Sequence, residues 1–320
     1  MSLLLRAFGS TGITVSERSF GAWAIGGTSY GAVDASVAMS ALIRAEELGC
    51  NFVDTAAVYG ESETLLGQFL PSRRERWIVA SKYSGQTQGM TSLVEEQLRR
   101  LRTDRIDFYQ IHWAPRGKDE HLYHELEMLK RDGKIRFCGV SLRSAADIDQ
   151  VLAHSCIDGV QICLSLLDPG PLVARLALLR ARAPAIIARS VLKAGFLTGK
   201  YDENATFTDP VDQRHEWSRE RIRDTARQAR EFGFLADATG TLHAAAIAYP
   251  LSFSEVSTVV LSSKNVEQAE ANFGSGVPAS LSTDLLARIE CTQRQLGVFP
   301  MGTAARLWRR IQRTLSARNH

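Results

Sequence analysis

Short apolar runs of strand length alternate with longer stretches whose apolar residues recur at helical spacing, from one end of the chain to the other. The pattern predicts strands at residues 19–23, 51–55, 77–82, 108–113, 136–142, 159–164, 185–190 and 257–262. Between them, helical spacing runs over 35–48, 62–70, 91–101, 121–131, 145–153 and 172–182, with Gly49 and Gly133 placed as C-terminal caps. Eight strand–helix units without a composition break or a Gly/Ser-rich linker predict an α/β fold. One closed (β/α)8 TIM barrel over residues 1–320 accounts for them better than a doubly wound sheet with a second domain. An N-terminal β-hairpin over 3–15, turning between Gly9 and Gly12, would cover the bottom of the barrel, and a C-terminal helical extension follows residue 278. The long stretch 191–256 is expected to be partly helical, with a loop around 202–216 able to fold over the mouth.

Three of the early strands end on Asp54, Lys82 and His112. Because parallel strands of a barrel bring their C-terminal ends to one rim, these three face one another across the mouth. An active site explains the repetition; the alternative is that each residue simply bonds a neighbouring loop. Tyr59 follows the second strand on the same rim. A nearby ammonium favours the phenolate and lowers a reference pKa of about 10. Asp54 could hold that ammonium and His112 could orient an oxygen, a set suited to general acid–base work on a carbonyl or an alcohol. A lone tyrosine in such a loop would otherwise be packing. Trp23, Tyr30, Tyr83 and Trp113 around the mouth suggest a substrate pocket, shared with Tyr59 and His112, that stacks on a sugar ring or a flat carbonyl compound.

Composition adds exclusions. At 320 residues, 45% hydrophobic and 23% charged, the chain is globular, and a net charge of +3 is too small to imply nucleic acid. Five cysteines, at 50, 138, 156, 163 and 291, form no Cys-x-x-Cys pair and read as buried thiols of a reducing compartment. No leader or membrane-length run is evident, so the expectation is a cytoplasmic protein with no membrane partner. The histidines show no ligand spacing, so no metal is expected. A basic tail over 306–313 fits either a packed terminal helix or an acidic or membrane surface. The oligomeric state is not readable.

The segment 51–63, which contains Asp54 and Tyr59, resembles an aldo-keto reductase. So do Ala80 to Lys82, Asp107 to His112, Gly133 to Arg136 with Gly139 to Ser141, and Gly195 to Tyr201. The resemblance covers nearly the whole chain, in the family's order and spacing. It implies a barrel that uses NADP(H) in preference to NAD(H), with the catalytic tetrad Asp54, Tyr59, Lys82 and His112 and Tyr59 as proton donor. It further implies that Ser141 and Gln161 hold the nicotinamide carboxamide, and that Ser190, Leu192 and Gly195 line the pyrophosphate. Lys264 would meet the 2′-phosphate and Gln268 and Asn272 the adenosine, while Trp23 and Asp54 border the nicotinamide. No Gly-x-Gly-x-x-Gly fingerprint opens a helix, which argues against a Rossmann dehydrogenase.

Departures from the family pattern are also present. Leu142 stands where the family has an Asn that serves the carboxamide. Arg189 replaces an aromatic ring against the nicotinamide, where it could stack or bind pyrophosphate. Leu261 and Ser262 replace a Pro-Gly, and Ala271 a Glu. These leave a second reading open, a nicotinamide-binding accessory barrel with little turnover. The first reading is an oxidoreductase for a small-molecule carbonyl or its alcohol.

Overall fold

The computed structural model describes residues 3–142 and 144–299. A short antiparallel pair, β1 (Leu5–Ala7) and β2 (Thr14–Ser16), precedes the main sheet. The main strands are β3 (Arg18–Gly21), β4 (Phe52–Asp54), β5 (Ile78–Tyr83), β6 (Ile106–Ile111), β7 (Ile135–Leu142), β8 (Gly159–Cys163), β9 (Ala185–Arg189) and β10 (Thr258–Ser262). All are parallel and close in sequence order, β10 pairing with both β9 and β3. Such strands are covered on both faces, which is why they read as nearly continuous apolar runs.

Each strand lies within two residues of its expected position, and the helix His121–Arg131 has the expected bounds. β6 begins and ends two residues early, and β3 ends two residues short. It stops at Gly21, and Trp23 belongs to a single 3-10 turn, Ala22–Ile25, because a short apolar run fits a buried turn as well as a strand. The expected extension contains the helix Thr283–Gln295, capped by Ser282 and tied to the barrel by Gln293, which donates to the Leu166 carbonyl. The tail over 306–313 lies outside the described residues. Among the described residues no helix is long and apolar enough to cross a membrane, and no cluster could hold a metal ion.

The hairpin stoppers the barrel. Phe8 is fully buried against Phe52 (rings 5.5 Å apart) and edge-on to Phe108 (5.1 Å), alongside Ala80, Ala185 and Ile187. Gly9, at φ +56°, presses so close that a Cβ there would lie 2.2 Å from the Ala185 nitrogen. Arg6 fastens the hairpin by donating to the carbonyls of Leu251, Val256 and Phe253 at 2.7, 3.1 and 3.3 Å. Phe8→Ala is therefore expected to cost about 3–5 kcal/mol of stability in urea or thermal unfolding, as a large buried ring replaced by a void does. Its effect on turnover should be small, because the mouth is at the other end.

At that mouth, the loop around 202–216 does lie across the rim. Gln213 donates its backbone N–H to the Ser29 carbonyl at 2.9 Å, and Arg214 stacks over Phe207, Tyr201 and Tyr30 while pairing with Asp212. All five cysteines are free thiols. Only Cys50 and Cys138 are buried; Cys156 and Cys163 are half-buried and Cys291 is exposed, since an apolar run also supplies the outer positions of a helix or a loop.

Candidate active site

Residues spaced by two along a strand share a face, and this parity brings Asp54 and Lys82 into the barrel interior. Asp54 pairs in register with Ala80, so Lys82, one same-face step further along, overhangs its carboxylate. The Lys82 ammonium donates to Asp54 Oδ2 at 2.7 Å and to the Thr55 carbonyl at 2.8 Å. An ammonium has three donors, and the third direction serves the phenol of Tyr59, whose ring centroid is 4.9 Å from Nζ. Asp54 Oδ1 is filled in turn by the side-chain amides of Gln161 (3.0 Å) and Gln110 (3.2 Å). The carboxylate is therefore fixed from three sides.

Burial pulls the Lys82 ammonium toward its neutral form, but Asp54 and Tyr59 more than offset this and hold its pKa above the usual lysine value. Tyr59 behaves differently from the expectation. Burial raises its pKa and outweighs the lowering by Lys82 and Arg189, with Asp54 adding to the rise. The phenol is thus held protonated at neutral pH, because the walls packed around it take away much of the water that would solvate a phenolate.

His112 lies one residue beyond β6. Its Nδ1 is 2.8 Å from Ser84 Oγ, and its ring meets Tyr59 edge-on at 6.4 Å. Trp23 stacks on the other side of Tyr59 at 5.8 Å and meets Tyr30 edge-on at 5.4 Å. Behind Lys82, outside the barrel wall, the buried Glu63 accepts from Ser81 and Gln97, both at 2.8 Å, and pairs with Arg100 at 3.0 Å. Gln97 also accepts from Tyr109 at 2.8 Å. This network stiffens β5 where Lys82 leaves it.

These residues sit at one end of a cavity of about 1360 Å³, larger than the roughly 300–1,000 Å³ of a single small-molecule site. Trp23, Asp54, Tyr59, His112, Gln161, Arg189, Ser190, Leu192, Gly195, Lys264, Gln268 and Asn272 all line it. Ser141 stands just behind, donating its hydroxyl to Gln161 Oε1 at 3.0 Å. Tyr83 and Trp113 are not brought into the cavity. Tyr83 follows Lys82 on the same strand and must point to the opposite face, where its ring packs against Trp113 at 5.8 Å; the Trp113 indole donates to Asp119. They are part of the outer packing.

Beyond β9 the backbone turns left-handed at Ser190 (φ 58°), Lys193 (46°), Ala194 (52°) and Gly195 (91°). Non-glycine residues in this region cost of order 1–2 kcal/mol each. Such strain collects where backbone is shaped around a ligand, and successive N–H groups in such turns make anion seats. Gly195 suits its φ of +91°, and a Cβ there would press on the Tyr201 ring at 3.0 Å. Arg189 donates to the Leu142 carbonyl at 3.1 Å, while its buried Nε has no partner. At the far end, Lys264 Nζ donates to the Tyr30 carbonyl at 2.5 Å and Gln268 Oε1 accepts from the Lys264 N–H at 2.9 Å. Asn272 is buried. It donates to Ser262 and Ser263 and accepts from His243 at 2.9 Å.

Sequence reasoning missed Gln110, Ser84, Glu63, Gln97 and His243. Gln110 carried a signal, since it precedes His112 by two on one strand. The others meet the site only through tertiary packing.

A closed parallel barrel whose rim joins a buried Lys–Asp pair to a phenol at the end of a long cleft defines a class of oxidoreductase. The chain belongs to the aldo/keto reductase family, whose profile matches residues 19–293. Members act on carbonyl or alcohol groups of small molecules with a nicotinamide cofactor. The chain is 30% identical over 213 residues to the aldo-keto reductase YhdN of Bacillus subtilis (strain 168), covering 62% of this chain and 64% of that protein. It is 28% identical to L-galactose dehydrogenase of Arabidopsis thaliana, over 84% of this chain and 86% of the other. Among solved structures, the glycerol dehydrogenase AKR11B4 from Gluconobacter oxydans superposes with a TM-score of 0.75 at 25% identity, covering 93% of this chain and 98% of its own.

Proposed function

We propose that this protein is an NADP(H)-dependent oxidoreductase that interconverts a small sugar or polyol carbonyl and its alcohol, with Tyr59 as the general acid/base. The observation that carries the reading is the contact of the Tyr59 phenol with the fully buried Lys82 ammonium, itself anchored 2.7 Å from Asp54, at the end of a cleft long enough for a dinucleotide and a substrate together. The bound nicotinamide supplies or accepts the hydride. Tyr59 gives its proton to the carbonyl oxygen in reduction and takes one from the alcohol in oxidation, with Lys82 stabilising the phenolate as it forms. His112, steadied through Nδ1 by Ser84, presents Nε2 as the atom that orients the substrate oxygen.

The residues present suit the cofactor. Gln161, backed by Ser141, carries both donor and acceptor atoms for a carboxamide, and the turn over 190–195, left-handed at 190 and 193–195, shapes a backbone seat for a pyrophosphate. Arg189, joined to the Leu142 carbonyl, brings a donor near the position where the family's Asn is missing. Lys264 retains two donors beside its bond to Tyr30, which favours a 2′-phosphate. One relative, from Escherichia coli, is named an NADH-specific methylglyoxal reductase, so the preference is a property to be measured for this chain. Lys264→Met is expected to weaken NADP(H) by roughly 10- to 100-fold, the loss of one charge-assisted contact, and to leave NAD(H) almost unchanged. Fluorescence titration with both cofactors measures this. Equal weakening of the two would contradict the assignment.

Sugar and polyol substrates are supported by the wide Trp23 face over Tyr59 and by relatives named for L-galactose and glycerol. A steady-state assay with aldehydes, sugars and polyols tests the function. Turnover of a sugar or polyol is the expected result, and cofactor binding without turnover of any of them would favour the accessory barrel.

A further inference from the structure

Far from the mouth, near the start of β7, two thiols share one small polar pocket. Cys138 is fully buried; its backbone N–H donates to Asp158 Oδ2 at 2.8 Å, and Asp158 donates its own N–H back to the Cys138 carbonyl. Its thiol donates to the Cys156 carbonyl at 2.9 Å, which brings it against Cys156. Cys156 is half-buried in the loop leading to β8. Over the pair sits the ammonium of Lys130, 2.8 Å from Asp158 Oδ2 and 3.5 Å from the Cys156 carbonyl. None of these residues borders the cavity.

We propose that Cys138 and Cys156 form a peroxide-responsive dithiol, in which the accessible Cys156 is attacked first and the buried Cys138 resolves it to a disulfide. Cys156 has the traits of an attacking thiol. The adjacent Cys138 thiol lowers its pKa, burial and Glu127 oppose this, and Lys130 adds to the lowering. Cys138 is the converse: its neighbour Cys156, then burial, hold it well above the ordinary thiol range, as suits a thiol that waits as the neutral partner. The oxidant is hydrogen peroxide or an alkyl hydroperoxide. The Cys156 thiolate attacks the peroxide oxygen, the O–O bond breaks, and a sulfenic acid and hydroxide form. Cys138 sulfur then attacks the sulfenic sulfur, hydroxide leaves, and with the two thiol protons the products are one disulfide and, from hydrogen peroxide, two waters. Two electrons leave the protein.

The link would tie β7 to the entry of β8, the two strands whose opposite ends carry Ser141 and Gln161. Peptide mapping of the full-length protein after brief hydrogen peroxide treatment and alkylation tests the proposal, with the exposed Cys291 as internal reference. The expected result is a cross-linked peptide pair containing Cys138 and Cys156, two hydrogens lighter than the reduced pair. Cys156 should be consumed about tenfold faster than Cys291. In Cys138→Ser, dimedone should capture a sulfenic acid at Cys156. Lys130→Gln should slow the reaction. Oxidation of Cys291 at the same rate as Cys156, or conversion of Cys156 to sulfinic acid with Cys138 left reduced in the parent protein, would overturn it.

Discussion

Tyr59→Phe is expected to lower kcat for carbonyl reduction by about 10³-fold or more while cofactor affinity stays that of the parent, the size of effect that removal of a positioned general acid produces. The substitution keeps the ring that stacks on Trp23 and meets His112, so the aromatic walls of the cleft survive and only the transferable proton is lost. Parallel measurement of turnover and of cofactor binding separates this from a general collapse of the site. An equal loss in both, or turnover close to that of the parent, would place the proton donor elsewhere.

Lys82→Met should be the most damaging single change in the barrel. It leaves Asp54 as a buried carboxylate that keeps the amides of Gln110 and Gln161 but has lost the ammonium it pairs with, and breaking a buried ion pair this way costs about 3–5 kcal/mol. Activity falls as well, because the developing phenolate loses the charge that stabilises it. The double variant Lys82→Met with Asp54→Asn should recover most of the stability and none of the rate. Urea unfolding and turnover of the three variants check this. A single variant as stable as the parent would show that the pair is not buried as described.

How much of this was written in the sequence depends on the range of the interaction. The eight barrel strands and six of the helices follow from apolar period alone and were legible to within two residues, whereas the helices Arg219–Arg230 and Leu242–Leu251 were given no bounds. The meeting of Asp54, Lys82 and Tyr59 was legible too, since barrel topology sends successive strand ends to one rim. Parity decided the failures. Tyr83 looked like a pocket residue by composition, yet its place next to the inward-facing Lys82 requires it to face outward, and Trp113 follows it there. The direction of the Tyr59 pKa was not legible, because the desolvation that dominates it arises from segments far apart in the chain. Glu63 and Gln97 were invisible for the same reason, and the Arg189 bond to the Leu142 carbonyl appears only once β7, β8 and β9 lie side by side.

The pH dependence carries the sign of the mechanism. Reduction needs the protonated phenol, so kcat/KM for the carbonyl should be level through neutral pH and fall only as pH rises through the Tyr59 pKa, above its ordinary value of about 10. Oxidation should rise over the same interval. The ionisation of Tyr59 itself can be followed by NMR of protein carrying ¹³C at tyrosine Cζ, with Tyr59→Phe assigning the resonance. The Tyr59 signal should titrate above pH 10 in the parent and move up by about one pH unit or more in Lys82→Met, with the reduction limb at the same pH as the signal. A Tyr59 titration indifferent to Lys82, or a rate profile that ignores it, would contradict the proposed proton relay.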